Sequence, residues 1–401
     1  MQEAVLFDDG KGQLAPLTDL RASFEVRTGA LTTFERLVAC FDLDVRGLVV
    51  PDAIRDLVAV RHTVPINAPP DAQGDVLMLN GRCVLPFERI DLIRTGEVLV
   101  DQETGDLIAA LAKPADCVRL VRGDLSGYEQ TLGPDIAMLE RPWHVRSFRD
   151  IAIDADLAML TERAGWESPP DGTIIVGDRF PLIDRNATVH PSATFDCDSG
   201  LVIVDRDATI RPGAVLIGPC YVGPGATVLD RAIIRPNTVV GPVCKVAGEV
   251  GGTIFQGYAN KAHDGYLGDS WVGTWVNLGA GTTNSNLLNT YGNVKAQATP
   301  DGEREDSGEQ FLGCVLGDHV KTAICTRIMT GAVAHTGAMF AASSPMSGCV
   351  RPFAWVTDAG EQTYDGEKFV EVARSVMHRR GVNASDAYVR RLHELHEAAA
   401  R

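Results

Sequence analysis

Between Ile183 and Val246 an aliphatic or small apolar residue returns every six positions, and no other feature of the chain narrows its fold as much. The series runs Ile183, Val189, Phe195 and Leu201, slips by three, and resumes at Val204, Ile210, Leu216, Val222, Val228, Ile234, Val240 and Val246. A second run follows at Leu316, Thr322, Ile328, Ala334 and Phe340. Six is not the period of a helical stripe, and it is too long for simple alternation along a strand. It is the period of a hexapeptide parallel β-helix, in which each repeat supplies one short strand, one corner and one inward side chain. The stretches "RPGA", "GPGA" and "RPNT" fall between the apolar positions and carry the Pro, Gly and Asn that corners need. Stacked coils then bury one continuous apolar column. The pattern lapses at Gly248–Asp264 and at Gln297–Gln310, where "QATPDGEREDSGEQ" reads as a polar loop.

The first 150 residues are written in another style. "AVLF", "GLVV", "TVPIN" and "DVLML" read as buried strands, while "LTTFERLVACF" and "PDAIRDLVAV" carry helical spacing. This alternation predicts an α/β sheet with parallel strands. "EVLVDQETGDLIAALA" reads as a hairpin turning at its Thr-Gly. Tyr128 to Trp166 is more helical, and "GWESPPDG" reads as a linker. After Arg351, "EKFVEVARSVMHRR" and "SDAYVRRLHELHEAA" are amphipathic helices expected to cover the open end or an edge of the prism. The expected organisation is an α/β unit over 1–150, a linker over 151–180, a β-helix over 181–350 and a helical tail over 351–401.

A formal charge of -16 argues against nucleic acid and anionic membrane as partners, since phosphate contacts need a basic field. An anionic small molecule is compatible with that charge only where cations are gathered locally. Nine cysteines without a CxxC pair fit reduced thiols in a cytoplasmic protein. No run approaches 18 apolar residues, and "MQEAVLFDDG" has no basic export signal, so the expectation is cytoplasmic. His190, His263, His319 and His335 form no close pair, so no zinc site is expected in the β-helix.

"HDGYLGDSWVGTWVNLGAGTTNSN" resembles the acetyltransferase motif of the bifunctional GlmU enzymes, which acetylate glucosamine-1-phosphate from acetyl-CoA and then uridylylate the product. The shared elements are His-x-x-Tyr-Leu-Gly-Asp, an Asn eleven residues after the Tyr, Gly-Ala-Gly-Thr and a further Asn. Over nearly its whole length the chain is similar to GlmU-family sugar nucleotidyltransferases that carry "TIFQGYxNKxHDGxLG", "NLGAxTxNSNL" and an N-terminal "LFDD". The resemblance implies an α/β + β architecture. A Rossmann-like nucleotidyltransferase-type domain leads into a left-handed parallel β-helix, normally a homotrimer with active sites between adjacent prisms. It implies His263 as general base, Tyr266 and Asn277 on the acceptor sugar, Asn286 orienting it, and backbone at Ala280 and Ala342 on CoA. The chemistry agrees, because acyl transfer from a thioester needs a base near neutrality and an N–H donor at the developing oxyanion.

The chain also departs from the pattern. Arg235 with Pro236 resembles the Arg-Pro that meets the phosphate, but Gly251 and Gly252 stand where those enzymes carry two lysines. Lys245, Lys261 and Lys295 are the candidate replacements. In the first domain Gly10 and Gly12 remain of the Gly-rich loop, and Arg21 or Arg27 would serve a triphosphate. Asp8 and Asp9 would hold Mg²⁺, and Arg82 would screen a phosphate where the family presents a metal-binding Asp. The bland alternative makes Asp8 and Asp9 turn caps and Arg82 a surface charge. The leading reading is an acyl-CoA-dependent N- or O-acyltransferase, with acetyl-CoA as the first donor and His263 as base, acting on an amino sugar phosphate or nucleotide sugar in envelope or polysaccharide precursor supply. The rivals are a sugar-1-phosphate nucleotidyltransferase with a β-helix for assembly, and a non-catalytic nucleotide-sugar-binding protein.

Overall fold

The computed structural model describes residues 1–134 and 138–400. The first sheet has six strands: β1 (Gln2–Phe7), β2 (Leu43–Val49), β3 (Val76–Asn80), β4 (Glu97–Val100), β5 (Leu107–Ala112) and β6 (Glu129–Leu132). Their order is β2-β1-β3-β5-β4-β6. β1 runs parallel to β2 and β3, as the strand–helix alternation predicts, while β5 is antiparallel to β3 and β4. Helices α1 (Thr33–Cys40) and α2 (Asp52–Arg61) lie in the connections, α1 opened by a Thr32–Glu35 capping box. "TVPIN" forms no strand. Only Ile66 bridges to Leu48, because Pro65 has no N–H to give a ladder.

From Trp166 the chain winds into a prism with three faces. Face 1 stacks Val202–Val204, Cys220–Val222 and Thr238–Val240 in parallel register. Face 2 stacks Thr209–Ile210, Thr227–Val228, Lys245–Val246 and Asn260–Lys261. Face 3 stacks Thr194–Asp196, Val215–Ile217, Ile233–Ile234, Glu249–Gly251 and Tyr266–Gly268. The predicted inward residues line the interior, with one exception. Leu201 packs outside, because alternation along the next strand turns Val202 and Val204 inward and Ile203 outward.

Of the two expected breaks the first is corrected, and the second is an excursion out of the prism between strands Thr283–Asn284 and Cys314–Leu316. The coil continues through Gly248–Asp264, its inward places filled by Val250, Phe255 and Lys261. Steps of four and five residues, followed by a lysine, disguise the repeat. Within Gln297–Gln310, Glu305–Asp306 pairs back on Lys295–Ala296 as a hairpin, rooted on Trp143 by Val294, Ala296, Ala298 and Leu312.

The stretch 151–180 is not a linker. Helix α3 (His144–Thr161) runs across residue 150, and strands Trp166–Glu167 and Ile174–Val176 already pair with prism strands. Face 1 turns Ile203, Tyr221, Val239, Ile254 and Trp271 outward against Leu14, Leu17, Val26, Val145 and Phe148. Each such buried side chain contributes roughly 1.5–3 kcal/mol, so the two units share a core. Polar ties reinforce it. Arg21 donates to Asp318 at 2.7 Å, and the Arg27 amide donates to Gln256 at 2.7 Å. The tail helices α4 (Gly366–His378) and α5 (Asp386–Ala399) do more than close an end. Phe369, Val370 and Leu392 share a core with Leu57 and Val58 of α2 and with Phe353, so the tail straps the first domain to the prism.

Candidate active site

The corner from face 2 to face 3 is the loop between Asn260–Lys261 and Tyr266–Gly268. Gly265 closes it at φ +106°, where a Cβ would come within 2.2 Å of the Thr282 carbonyl, so only glycine fits. His263 is exposed at this corner, on the rim of a cleft of about 590 Å³. Lys245, Asn260, Asn277, Lys321, Arg379 and Arg380 line the cleft, with no Asp or Glu among the described residues that line it. Tyr258 and Trp275, stacked at 4.5 Å, form one wall. Arg380 of the tail donates to Asn260 Oδ1 at 2.6 Å and to the Val243 carbonyl at 3.0 Å. Burial lowers the Lys321 pKa to about 8. The sequence reading missed Arg379 and Arg380; their signal was the basic doublet ending "SVMHRR".

Lys261 is not a free phosphate ligand. It is 2% exposed and occupies an inward place in register with Val246. Its ammonium donates to the carbonyls of His263 at 2.9 Å, Asp264 at 3.1 Å and Ala247 at 3.3 Å. A buried cation is tolerable only when satisfied in this way, and here it fixes the backbone that carries His263. Burial lowers its pKa to about 8. The native state therefore sheds this proton at a lower pH than the unfolded chain does. Above about pH 8 the unfolded chain holds more protons, so stability rises with pH until the ordinary lysine value is reached. Wild type is expected to gain stability from pH 8 to 10 relative to Lys261→Met, measured by urea denaturation at both pH values.

A second cluster lies on and beside face 3. Asn286 Nδ2 donates to the Tyr266 hydroxyl at 3.1 Å and to Asp269 at 2.7 Å. Burial, then the Asp269 charge, raises the Tyr266 pKa. Arg149 and Arg146 of α3 pair with Asp269 at 2.6 and 3.1 Å. A Cβ on Gly252 would lie 2.4 Å from Arg149 Nη1, so a cation from the first domain stands where the lysine pair is missing. Arg235 is tied to Glu249 on the same face. Lys295 sits in the hairpin, opposite Asp306, and lines neither cluster. The Ala280 carbonyl accepts from the Cys325 amide at 2.7 Å, and Ala342 packs against the prism interior.

The first domain corrects its sequence reading. Asp8 accepts from the Gly10 amide at 2.9 Å and the Ser23 amide at 2.7 Å, as a turn cap would. Burial raises its pKa despite those bonds. Arg82 is no surface charge and screens no phosphate. Fully buried, it pairs with Asp9 at 2.7 Å and with Asp106 and Glu140. Burial opposes its charge, yet Asp9, Glu140 and Asp106 raise its pKa above the ordinary value. Asn80 also donates to Asp9 at 3.0 Å, and Lys11 pairs with Asp106. Arg82 and Lys11 already occupy Asp9 and Asp106, so the residues present do not fit a Mg²⁺ ion. Thermal stability is expected to be the same in EDTA and in millimolar Mg²⁺. Arg21 is spent on the prism, and the Arg27 guanidinium donates to the Gln256 carbonyl at 3.4 Å and to the Ala30 carbonyl. What remains is a cleft of about 210 Å³ beside Asp9, Gly10, Asp52, Asn67 and Arg122.

Residues 4–164 match the family model for sugar nucleotidyl transferase. "Bifunctional protein GlmU" of Trichormus variabilis is 36% identical over 104 residues, covering 25% of this chain and 22% of that protein. A "Bifunctional sugar-1-phosphate nucleotidylyltransferase/acetyltransferase" of Sulfurisphaera tokodaii is 34% identical over 103 residues, covering 25% of each chain. "Bifunctional protein GlmU" of Xanthomonas campestris pv. campestris is 27% identical over 260 residues, covering 59% of this chain and 50% of that one. The matched part thus spans about a quarter of the first two relatives and half of the third. A solved hexapeptide transferase family protein from Anaplasma phagocytophilum aligns at 14% identity and TM-score 0.20, over 55% of this chain and 96% of that one. No helix among the described residues is long and apolar enough to cross a membrane. The chain is thus similar to the GlmU proteins, with residues 4–164 matching the sugar nucleotidyl transferase model and a β-helix of stacked parallel strands following them.

Proposed function

We propose that the protein is an acyltransferase that moves an acyl group from acyl-CoA, acetyl-CoA first among them, to an amine or hydroxyl of an amino sugar phosphate or nucleotide sugar. The observation that carries this reading is His263 at the rim of a cleft that gathers cations and amides in an acidic protein. His263 takes the proton of the acceptor group, and the freed lone pair attacks the thioester carbonyl. The C–S bond breaks, the thiolate leaves, and the imidazolium returns the proton to it. The products are free CoA and an acylated sugar. Asn277, exposed on the cleft and accepting from Asn260 at 3.4 Å, presents an amide to the acceptor or donor. Tyr266 and Asn286 hold the far side of the corner, and Ala280 and Ala342 are the proposed backbone contacts to CoA. As a homotrimer, a neighbouring prism would shield the exposed His263 from water.

The sugar nucleotidyl transferase match favours a second reading, nucleotidyl transfer at Asp9 and Gly10. The arginine that occupies the carboxylates weighs against it.

A thermal-shift titration separates the two, because a ligand that binds only the native state raises its melting temperature with concentration. Acetyl-CoA and UDP-linked amino sugars are each expected to do so. A response to UTP with Mg²⁺, and none to any acyl-CoA, would overturn the proposal. Under the same reading, Lys261→Met is expected to lower kcat by about 100-fold through misplacement of the His263 loop. The Met side chain keeps the apolar column filled, so circular dichroism should be unchanged.

A further inference from the structure

We infer that the tail-covered cleft is a diphosphate-binding site, formed by Lys245 and Lys321 from face 2 with Arg379 and Arg380 from the tail. It rests on the acyltransferase reading only for the role of the ligand, not for its binding.

Four cations converge here in a chain of net charge -16, and among the described residues no carboxylate lines the cleft to neutralise them. Lys245 and Arg379 have no salt-bridge partner among the described residues. Arg380 spends its guanidinium on Asn260 and the Val243 carbonyl, and Lys321 donates to the His319 carbonyl at 3.3 Å. None of these partners carries a charge, so all four positive charges remain for a ligand. Like charges so placed repel one another and are costly unless an anion is bound between them.

An adjoining cavity of about 610 Å³ shares Tyr258 and Trp275 with the cleft but is built differently. Its Glu25 pairs with Arg61 at 2.8 Å and His62 at 3.2 Å, and its Arg21 pairs with Asp318. The two spaces are of similar size, and only one holds uncompensated charge. That selects the cleft as the anion site. Its size suits a diphosphate ester rather than a single phosphate. Two molecules carry that group into such a reaction: a nucleoside diphosphate sugar and the ADP half of CoA.

The test is titration calorimetry of the full chain with inorganic pyrophosphate, UDP and CoA. The set comprises wild type, Lys245→Gln, Arg379→Gln and the remote control Arg327→Gln. Lys245 and Arg379 are exposed and hold no structural bond, so both variants should fold. Each removed charge is expected to weaken pyrophosphate about tenfold, as lost charge-assisted hydrogen bonds do, with the control unchanged. A parallel loss for UDP assigns the site to the nucleotide sugar, and a parallel loss for CoA assigns it to the donor. Calorimetry with pyrophosphate needs no turnover, so loss of this site and loss of acyl transfer are read separately. Pyrophosphate affinity that is absent in wild type, or equal in wild type and both variants, would overturn the inference.

Discussion

Arg82→Ala is expected to destabilise the protein by about 3–5 kcal/mol, the largest stability effect among the substitutions considered. The guanidinium is fully buried and faces Asp9, Asp106 and Glu140 at once. Removing it leaves Asp9 and Asp106 buried without their counterion, and the cost is that of stranded charge rather than of a lost contact. Asn80 and Lys11 soften the loss but cannot neutralise both carboxylates. The midpoint of urea denaturation reads the effect. Mg²⁺ is expected to raise that midpoint in Arg82→Ala and not in wild type, because only the variant frees the carboxylates. A wild-type midpoint that rises with Mg²⁺ would show that the arginine does not stand in for a cation.

His263→Ala is expected to lower kcat for acyl transfer by about 10²–10⁴, the range lost with a general base. The ring is exposed and makes no side-chain hydrogen bond among the described residues, so stability should stay within about 0.5 kcal/mol of wild type. A fall in kcat with unchanged stability locates the loss in chemistry. Equal turnover by the two proteins would remove His263 from the mechanism.

The prism was legible in the sequence because an inward side chain every six residues has one structural solution. Phe195 through Val246 fall where the spacing puts them, Leu201 excepted. The coil through Lys261 was not legible, because an inward lysine breaks an apolar pattern that its hydrogen bonds restore only in three dimensions. The same blindness made Lys261 look like a ligand. Arg82 was misread for a related reason, since its partners Asp9, Asp106 and Glu140 are far apart in sequence. Gly252 marked a missing lysine, and nothing local announced that Arg149, 103 residues earlier, fills the place. The corner motif fared better. Its spacing picked out His263 and Asn277, which line one cleft, and Tyr266 and Asn286, which touch each other. The tail arginines were out of reach, because helical periodicity says which face is apolar and not which neighbour it meets.

Acyl transfer at this corner, as proposed, must release the thiol of CoA. Thiol release from acetyl-CoA, followed with a chromogenic disulfide in the presence of UDP-linked and phosphorylated amino sugars, tests it most directly. Wild type is predicted to release thiol only with an acceptor present, and His263→Ala to release it at a rate lower by two orders of magnitude or more. Pyrophosphate formed from UTP and a sugar-1-phosphate, with no acceptor-dependent thiol from any acyl-CoA, would contradict it.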